Sequence, residues 1–266
     1  MHRRDLGKFA GIGLAGTAII LPQLAQAQAG AKSRLAQILE RGTLRVGTTG
    51  DFNPMSFRDP GANEYKGYDI EAMTALAAEF GLKLEWVQTE WAAFIAGIAA
   101  GRFDIFSGAS ITMARAKTGA FTLPYADVGT VPLALKPAAG KFASWDAINA
   151  DGVRVAVSMG TVFEDQARRT FPKAQLRSVQ TPATGFQEVL AGRADVTITS
   201  NIEAATLVKR YDQLTVISGA PLRNKRPLAY VVAQGEIDWL NAVNSWILLK
   251  RAEGFFDALD EKWLKA

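Results

Sequence analysis

The chain has 266 residues, 48% hydrophobic and 21% charged, the balance of a globular protein with room for one large domain or two small ones. The formal net charge is +4; Arg3, Arg4 and Lys8 against Asp5 supply +2 of it (3 − 1), and the +2 left is too little for a nucleic-acid surface. There is no cysteine and the one histidine is His2. Past the first residues, then, the chain has no disulfide, thiolate nucleophile, imidazole base or His- or Cys-ligated metal to offer, and no cofactor is expected.

Residues 1–28 read as a signal peptide. A charged start, Arg3 to Lys8, precedes a mostly apolar run over 9–24 and an A-x-A cleavage site at Ala25-Gln26-Ala27. The apolar run is short of the roughly 20 residues that span a bilayer. Arg3-Arg4 followed by Leu6 and Phe9 hints at a twin-arginine route, with a general secretory leader as the alternative. Either route exports the chain, and the periplasm is the expected destination.

Residues 33–40 predict a short helix closed by Gly42, and 44–48 (LRVGT) a strand. The loop over 49–57 carries Pro54, which keeps its predecessor out of the α region, so an extended loop presenting Phe52 is expected. Gly67-Tyr68-Asp69-Ile70 opens a helix with Ile70, Met73, Leu76, Ala77 and Phe80 at helical spacing and Gly81 at its end. A strand over 82–88 and a helix over 91–100 complete a β-α-β-α-β alternation, which predicts a mostly parallel sheet covered on both faces.

Residues 101–125, GRFDIFSGASITMARAKTGAFTLPY, read as a helix end at Gly101, a buried strand over 103–106, and a turn rich in Ser, Gly and Thr followed by Arg115. Ligands of open α/β sheets bind beyond the carboxyl ends of the strands. Small hydroxyls and free backbone N–H groups cradle anions there, and an arginine grips a carboxylate with two parallel N–H bonds. Ser107, Gly108, Ser110, Thr112 and Arg115 are therefore read as a carboxylate pocket; the plain alternative is a strand-to-helix loop with a solvated arginine.

The texture then repeats. Strands are predicted over 130–136, 153–157, 175–178 and 194–199, and helices over 145–149, from Ser158-Met159-Gly160-Thr161 through Arg169, over 182–191, and over 202–211. A strand over 228–233 precedes a helical end over 237–264, broken near Gly254, with Leu240, Val243, Trp246, Ile247, Phe255, Phe256, Leu259 and Trp263 as its buried stripe. Two α/β lobes in series with helices left over imply a chain that crosses between lobes twice, through 130–136 and 228–233. Lobe 1 is expected to comprise 33–130 plus 228–266 and lobe 2 to comprise 131–227, with a two-strand hinge that permits closure on a ligand.

The segments LRVGTTGDFNPMSF, YKGYDIEAMTALA, GRFDIFSGASITMARAK, FTLPY, GRADVTIT and EKWL stand in an order that resembles the periplasmic solute-binding proteins of the polar-amino-acid type, family 3. The resemblance covers nearly all of 40–266. It implies a periplasmic-binding-protein type II fold, one small carboxylate ligand, the membrane subunits of an ABC transporter as partners, and a monomer. Position by position, Phe52 and Trp91 match an aromatic pair that sandwiches the ligand, and Ser110 and Arg115 match the residues that hold its α-carboxylate. Gly160-Thr161 match a second-lobe turn at a helix N-terminus. The aspartate that pairs with a ligand's ammonium in amino-acid binders is here Ser200, so the expected ligand is a small carboxylate, an amino acid or an amino-acid-like organic or aromatic acid, with an acid lacking the amino group the better fit, and Thr161 and Ser200 add hydrogen bonds on closure. The chain is also similar to the cyclohexadienyl dehydratases built on this fold, which implies, as the alternative, an exported lyase acting on prephenate or arogenate. In register, that enzyme's glutamate general acid falls on Glu164, although the residue before it is Phe163.

Overall fold

Two long strands, Ala126–Leu135 and Arg223–Ala233, run antiparallel through the middle of one mixed sheet, seen in a computed structural model that describes residues 32–59 and 61–265. The expected signal peptide, 1–28, lies outside the described residues. On one side of this ribbon, Ile105–Ser110, Thr43–Thr48 and Lys83–Gln88 form a parallel block. On the other, Val196–Ser200, Arg154–Ser158 and Gln175–Val179 form a second parallel block. Each block joins the ribbon through an antiparallel pair. Parallel strands need helical crossovers, and these cover both faces of each block.

The two blocks have separate apolar interiors. The first joins Leu44, Val46 and Ile105 to Met73 and Leu76 of the helix Tyr68–Glu79 and to Trp239, Val243, Trp246 and Ile247 of the helix Ile237–Ala252. The second joins Val155, Val157, Val196 and Ile198 to Ala167 and Phe171, with a further cluster of Leu133, Val189, Ala204 and Leu207 on the opposite face. The fold is thus two-lobed, with the C-terminal helix returned to the first lobe. Trp239, absent from the expected stripe, is fully buried, and its Nε1–H donates to the Asp104 carbonyl at 2.9 Å.

Three features differ from the sequence expectation. The crossing strands start four and five residues earlier than 130 and 228, because the added residues, such as Asp127 and Arg223, are polar and exposed and show no strand alternation of their own. The loop over 49–57 contributes to a small antiparallel sheet of Asp51–Phe52, Ser56–Asp59 and Glu64–Lys66. The strand expected over 103–106 is Ile105–Ser110, so Ser107, Gly108 and Ser110 lie within a wholly buried strand and not in a turn. Phe103 instead fills space beside two glycines: a Cβ on Gly47 or Gly97 would come within 2.6 or 2.8 Å of its ring.

Gly108 shows why this strand uses small residues. Its φ is +136°, and a Cβ there would meet the Tyr125 hydroxyl at 2.1 Å and Asp69 Oδ2 at 2.9 Å, both in the buried interior. Gly108→Ala is expected to destabilise the fold by about 2 kcal/mol or more, since backbone strain and overpacking add. Gly81→Ala, at φ +65° with no atom within 4 Å, should cost only about 1 kcal/mol. Urea titration of both variants measures the difference, and equal losses would remove the crowding argument.

Candidate ligand site between the lobes

The carboxyl ends of both parallel blocks face each other across the ribbon and bound a narrow cavity between the lobes. Asp51, Phe52, Trp91, Ser110 and Arg115 line it from the first lobe, and Thr161, Phe163, Thr199 and Glu203 from the second. Val128 and Leu228 of the ribbon close its base. The lobes touch at the rim. Gln180 Nε2 donates to Glu90 Oε2 and Thr181 Oγ1 donates to Asp51 Oδ2, each at 2.8 Å. At Gly160 the backbones are so close that a Cβ would lie 2.3 Å from the Ala92 nitrogen.

Arg115 belongs to the short helix Met113–Ala116, whose N-cap Thr112 accepts the Arg115 N–H at 3.1 Å. This cap turns the side chain back over the strand end. Its Nη1 donates to the Ser110 carbonyl at 3.1 Å, its Nη2 crosses to the Gly160 carbonyl at 3.2 Å, and the guanidinium lies 4.9 Å from the Phe94 ring centroid. Among the described residues no carboxylate forms an ion pair with it. Its pKa is lowered to about 10, chiefly by burial, with Asp165 partly offsetting this and the charge of Arg226 adding to it.

Phe52 and Trp91 stand together in the cavity wall, but their rings meet edge-to-face at 6.1 Å and 75°. The two rings thus meet as a corner, the edge-to-face arrangement that aromatic pairs favour. Trp91 Nε1 donates to Asp51 Oδ1 at 2.8 Å, which sets the indole plane.

On the second lobe the helices Val162–Thr170 and Asn201–Arg210 both begin at the cavity, each with a hydroxyl N-cap and a glutamate three residues on. The two glutamates are used oppositely. Glu164 accepts from the Gly160 N–H at 2.7 Å, from Ser178 Oγ at 2.6 Å and from Arg168 Nη2 at 2.6 Å. Burial pushes its pKa up, but these three donors outweigh burial and hold it below the ordinary carboxylate value. Glu164, the general acid expected by resemblance, is thus favoured in its ionised form, and its carboxylate accepts at the helix start. Glu203 leaves the cap to Ser200, whose Oγ accepts the Glu203 N–H at 3.0 Å, and turns its own carboxyl to the Thr199 hydroxyl at the cavity wall. Its pKa is raised to about 8, chiefly by burial, with the Thr199 hydrogen bond opposing the rise and the nearby charge of Asp51 adding to it.

Ser200 and Gly108 are not brought to the cavity wall. Ser200 is fully buried as a helix cap, and Gly108 faces the Tyr125 and Asp69 cluster. Thr161 lines the cavity, although its Oγ1 already donates to the Ser158 carbonyl at 2.6 Å and accepts the Glu164 N–H. The cavity-wall carboxyl absent from the residues the sequence singled out is Glu203. Its Ser-x-x-Glu spacing is a capping-box pattern, which masked it as a structural residue.

A two-lobed α/β fold with a cavity between the lobes, walled by aromatic rings and a guanidinium, is the architecture of a small-molecule cleft. A family comparison narrows this: the chain belongs to the bacterial extracellular solute-binding proteins, family 3, whose pattern it matches over residues 44–266. It is 32% identical to a cyclohexadienyl dehydratase of Pseudomonas aeruginosa over 253 residues, covering 95% of this chain and 92% of that protein. It is 28% identical to an L-cystine-binding protein of Escherichia coli over 268 residues, covering 100% and 98%. Among solved structures, an ancestral amino acid-binding protein described as a precursor of cyclohexadienyl dehydratase superposes with a TM-score of 0.82 at 39% identity, over 87% of this chain and 100% of that one.

The Glu203 carboxyl makes stability depend on pH with a definite sign. The unfolded chain ionises this group near pH 4.5 and the folded chain near 8. Between those values the folded state holds a proton the unfolded state has lost, so this group's contribution falls as pH rises. Glu203→Gln should flatten the decline in stability measured by urea titration from about pH 5 to about 8. An unchanged slope would mean that the carboxyl is ionised at neutral pH.

Proposed function

We propose that the protein is an exported, monomeric receptor that delivers a small carboxylate with an apolar or aromatic body to the membrane subunits of an ABC importer. The observation that carries this reading is Arg115, a guanidinium drawn out of water at the cavity wall with no carboxylate partner among the described residues. A buried cation without an anion is costly, and a ligand carboxylate removes that cost. The first N–H groups of the helix Val162–Thr170, on the wall residues Val162 and Phe163, have no carbonyl four residues back and support an anion from the second lobe. Phe52 and Trp91 take the ligand body. The lobes are assigned as 33–130 with 228–266, and 131–227, hinged at the ribbon. The leader over 1–28 directs the chain to the periplasm.

The second reading, an exported cyclohexadienyl dehydratase, is favoured by Glu203, which replaces Glu164 in the role of acid. A carboxyl that keeps its proton to about pH 8 beside an anion site is suited to protonating a leaving hydroxyl. On prephenate, the ring carboxylate would leave as carbon dioxide, its bonding pair would complete the aromatic ring, and the ring hydroxyl would leave with the Glu203 proton as water. The product is phenylpyruvate, and solvent returns the proton to Glu203. No redox partner is required.

A thermal-shift screen of carboxylic acids and amino acids should find acids that raise the melting temperature. Arg115→Ala should weaken the best of them at least about 100-fold in calorimetry, because it removes a charge-assisted pair from a desolvated site. Unchanged affinity would refute the anion site. Incubation with prephenate separates the two readings: the receptor leaves it intact, whereas the enzyme forms phenylpyruvate and loses this activity in Glu203→Gln.

A further inference from the structure

The cavity that holds Arg115 is also walled by two acids. Asp51 of the first lobe and Glu203 of the second both line it, and the charge of Asp51 reaches the Glu203 carboxyl. The charges that reach Arg115 are those of Asp165 and Arg226, so the guanidinium and the two acids occupy separate parts of the cavity. Among the described residues neither Asp51 nor Glu203 forms an ion pair. Asp51 accepts from Trp91 Nε1 and from Thr181 Oγ1, each at 2.8 Å, and Glu203 accepts from the Thr199 hydroxyl. All three donors are neutral, so they orient the carboxyl groups without supplying a counter-charge. Both acids are within reach of a ligand: together with Phe186 they also line a wider interlobe crevice that runs past Phe57 and Tyr211.

The remaining wall is aromatic. Phe52 and Trp91 from the first lobe and Phe163 and Phe186 from the second line the same cavity as the acids. The face of an aromatic ring attracts a cation through its quadrupole and needs no hydrogen bond to do so. A primary ammonium would bring three N–H donors, each in need of an acceptor. Here acceptors are already engaged: both Asp51 oxygens serve Trp91 and Thr181, and Ser200 Oγ caps its helix. A nitrogen whose hydrogens are replaced by methyl groups carries the same charge and makes no such demand. The wall therefore offers negative charge and ring faces, the two features that suit a methylated cation.

We propose that Asp51 and Glu203, with the rings of Phe52, Trp91, Phe163 and Phe186, form a site for a quaternary nitrogen, and that the ligand is a betaine whose carboxylate lies on Arg115. This rests on the reading of Arg115 as a carboxylate anchor. The methylated cation is then the apolar body of the ligand, and it compensates the acids that the chain leaves without a partner.

Calorimetry on the exported chain with two pairs of isosteres tests the proposal. Glycine betaine against 3,3-dimethylbutanoate, and N-methylnicotinate against 3-methylbenzoate, each exchange a cationic nitrogen for carbon at constant shape. In at least one pair the betaine should bind about 10- to 100-fold tighter. Asp51→Asn, Glu203→Gln and Phe163→Leu should each lower that ratio, which keeps the test decisive if one variant fails to fold. Near pH 7 the betaine should also displace a proton from Glu203 and the carbon isostere none, read from binding heats in two buffers of different ionisation enthalpy. Ratios near one in both pairs, no detectable binding of any of the four acids, a ratio unmoved by all three variants, or betaine binding without proton release would overturn the cation site. Glycine binding tighter than glycine betaine would make it an ordinary ammonium site and overturn the proposal as well. Arg115→Ala distinguishes these failures from a failure of the anchor: loss of binding of the best acid from the thermal-shift screen retains Arg115 as anchor, and retained binding removes it.

Discussion

The structure depends on keeping one guanidinium out of water without giving it a carboxylate. Arg115 is held by two carbonyls and an aromatic face, which orient it but do not neutralise it. A surface arginine needs no such framework, and a structural one would have been paired, as Arg34, Arg41 and Arg45 are around Asp104. The surrounding features follow from this demand. The strand before it ends in small residues, Ser107 to Ser110, the next helix is capped at Thr112 so that the side chain folds back, and the Gly160 carbonyl of the other lobe supplies an acceptor. Since one acceptor comes from each lobe, the environment of the charge is complete only when the lobes meet.

The ribbon makes this meeting possible. Two antiparallel strands continue one sheet through both lobes, and Val128 and Leu228 on them line the cavity between the lobes.

Glu164 and Glu203 show how the same local sequence acquires different chemistry. Both sit three residues into a helix behind a hydroxyl cap, a position where a carboxylate is favoured by the dipole and the free N–H groups. Glu164 takes that role and stays ionised. Glu203 is displaced from it into a cavity shared with Asp51 and keeps its proton. The difference lies in the neighbours: Arg168 and Ser178 draw one carboxylate outward, and the wall hydroxyl of Thr199 draws the other inward.

Much was legible in the residues themselves. The α/β alternation, the two crossings and the helix ends at Gly42 and Gly254 follow from apolar periodicity and from glycine's access to positive φ, which are local properties. Phe52, Trp91, Ser110, Arg115 and Thr161 were named from motif order and converge on one cavity. What local sequence could not decide was which side of an element a residue faces and what already occupies its hydrogen bonds. Ser200 and Glu164 are spent as caps, Gly108 backs a buried tyrosine, Phe52 and Trp91 meet as a corner, and Glu203 reaches the cavity from a helix start that looks structural in sequence. Periodicity is set over a few neighbouring residues, whereas the protonation and availability of a side chain are set by groups tens of residues away that only the closed fold brings together.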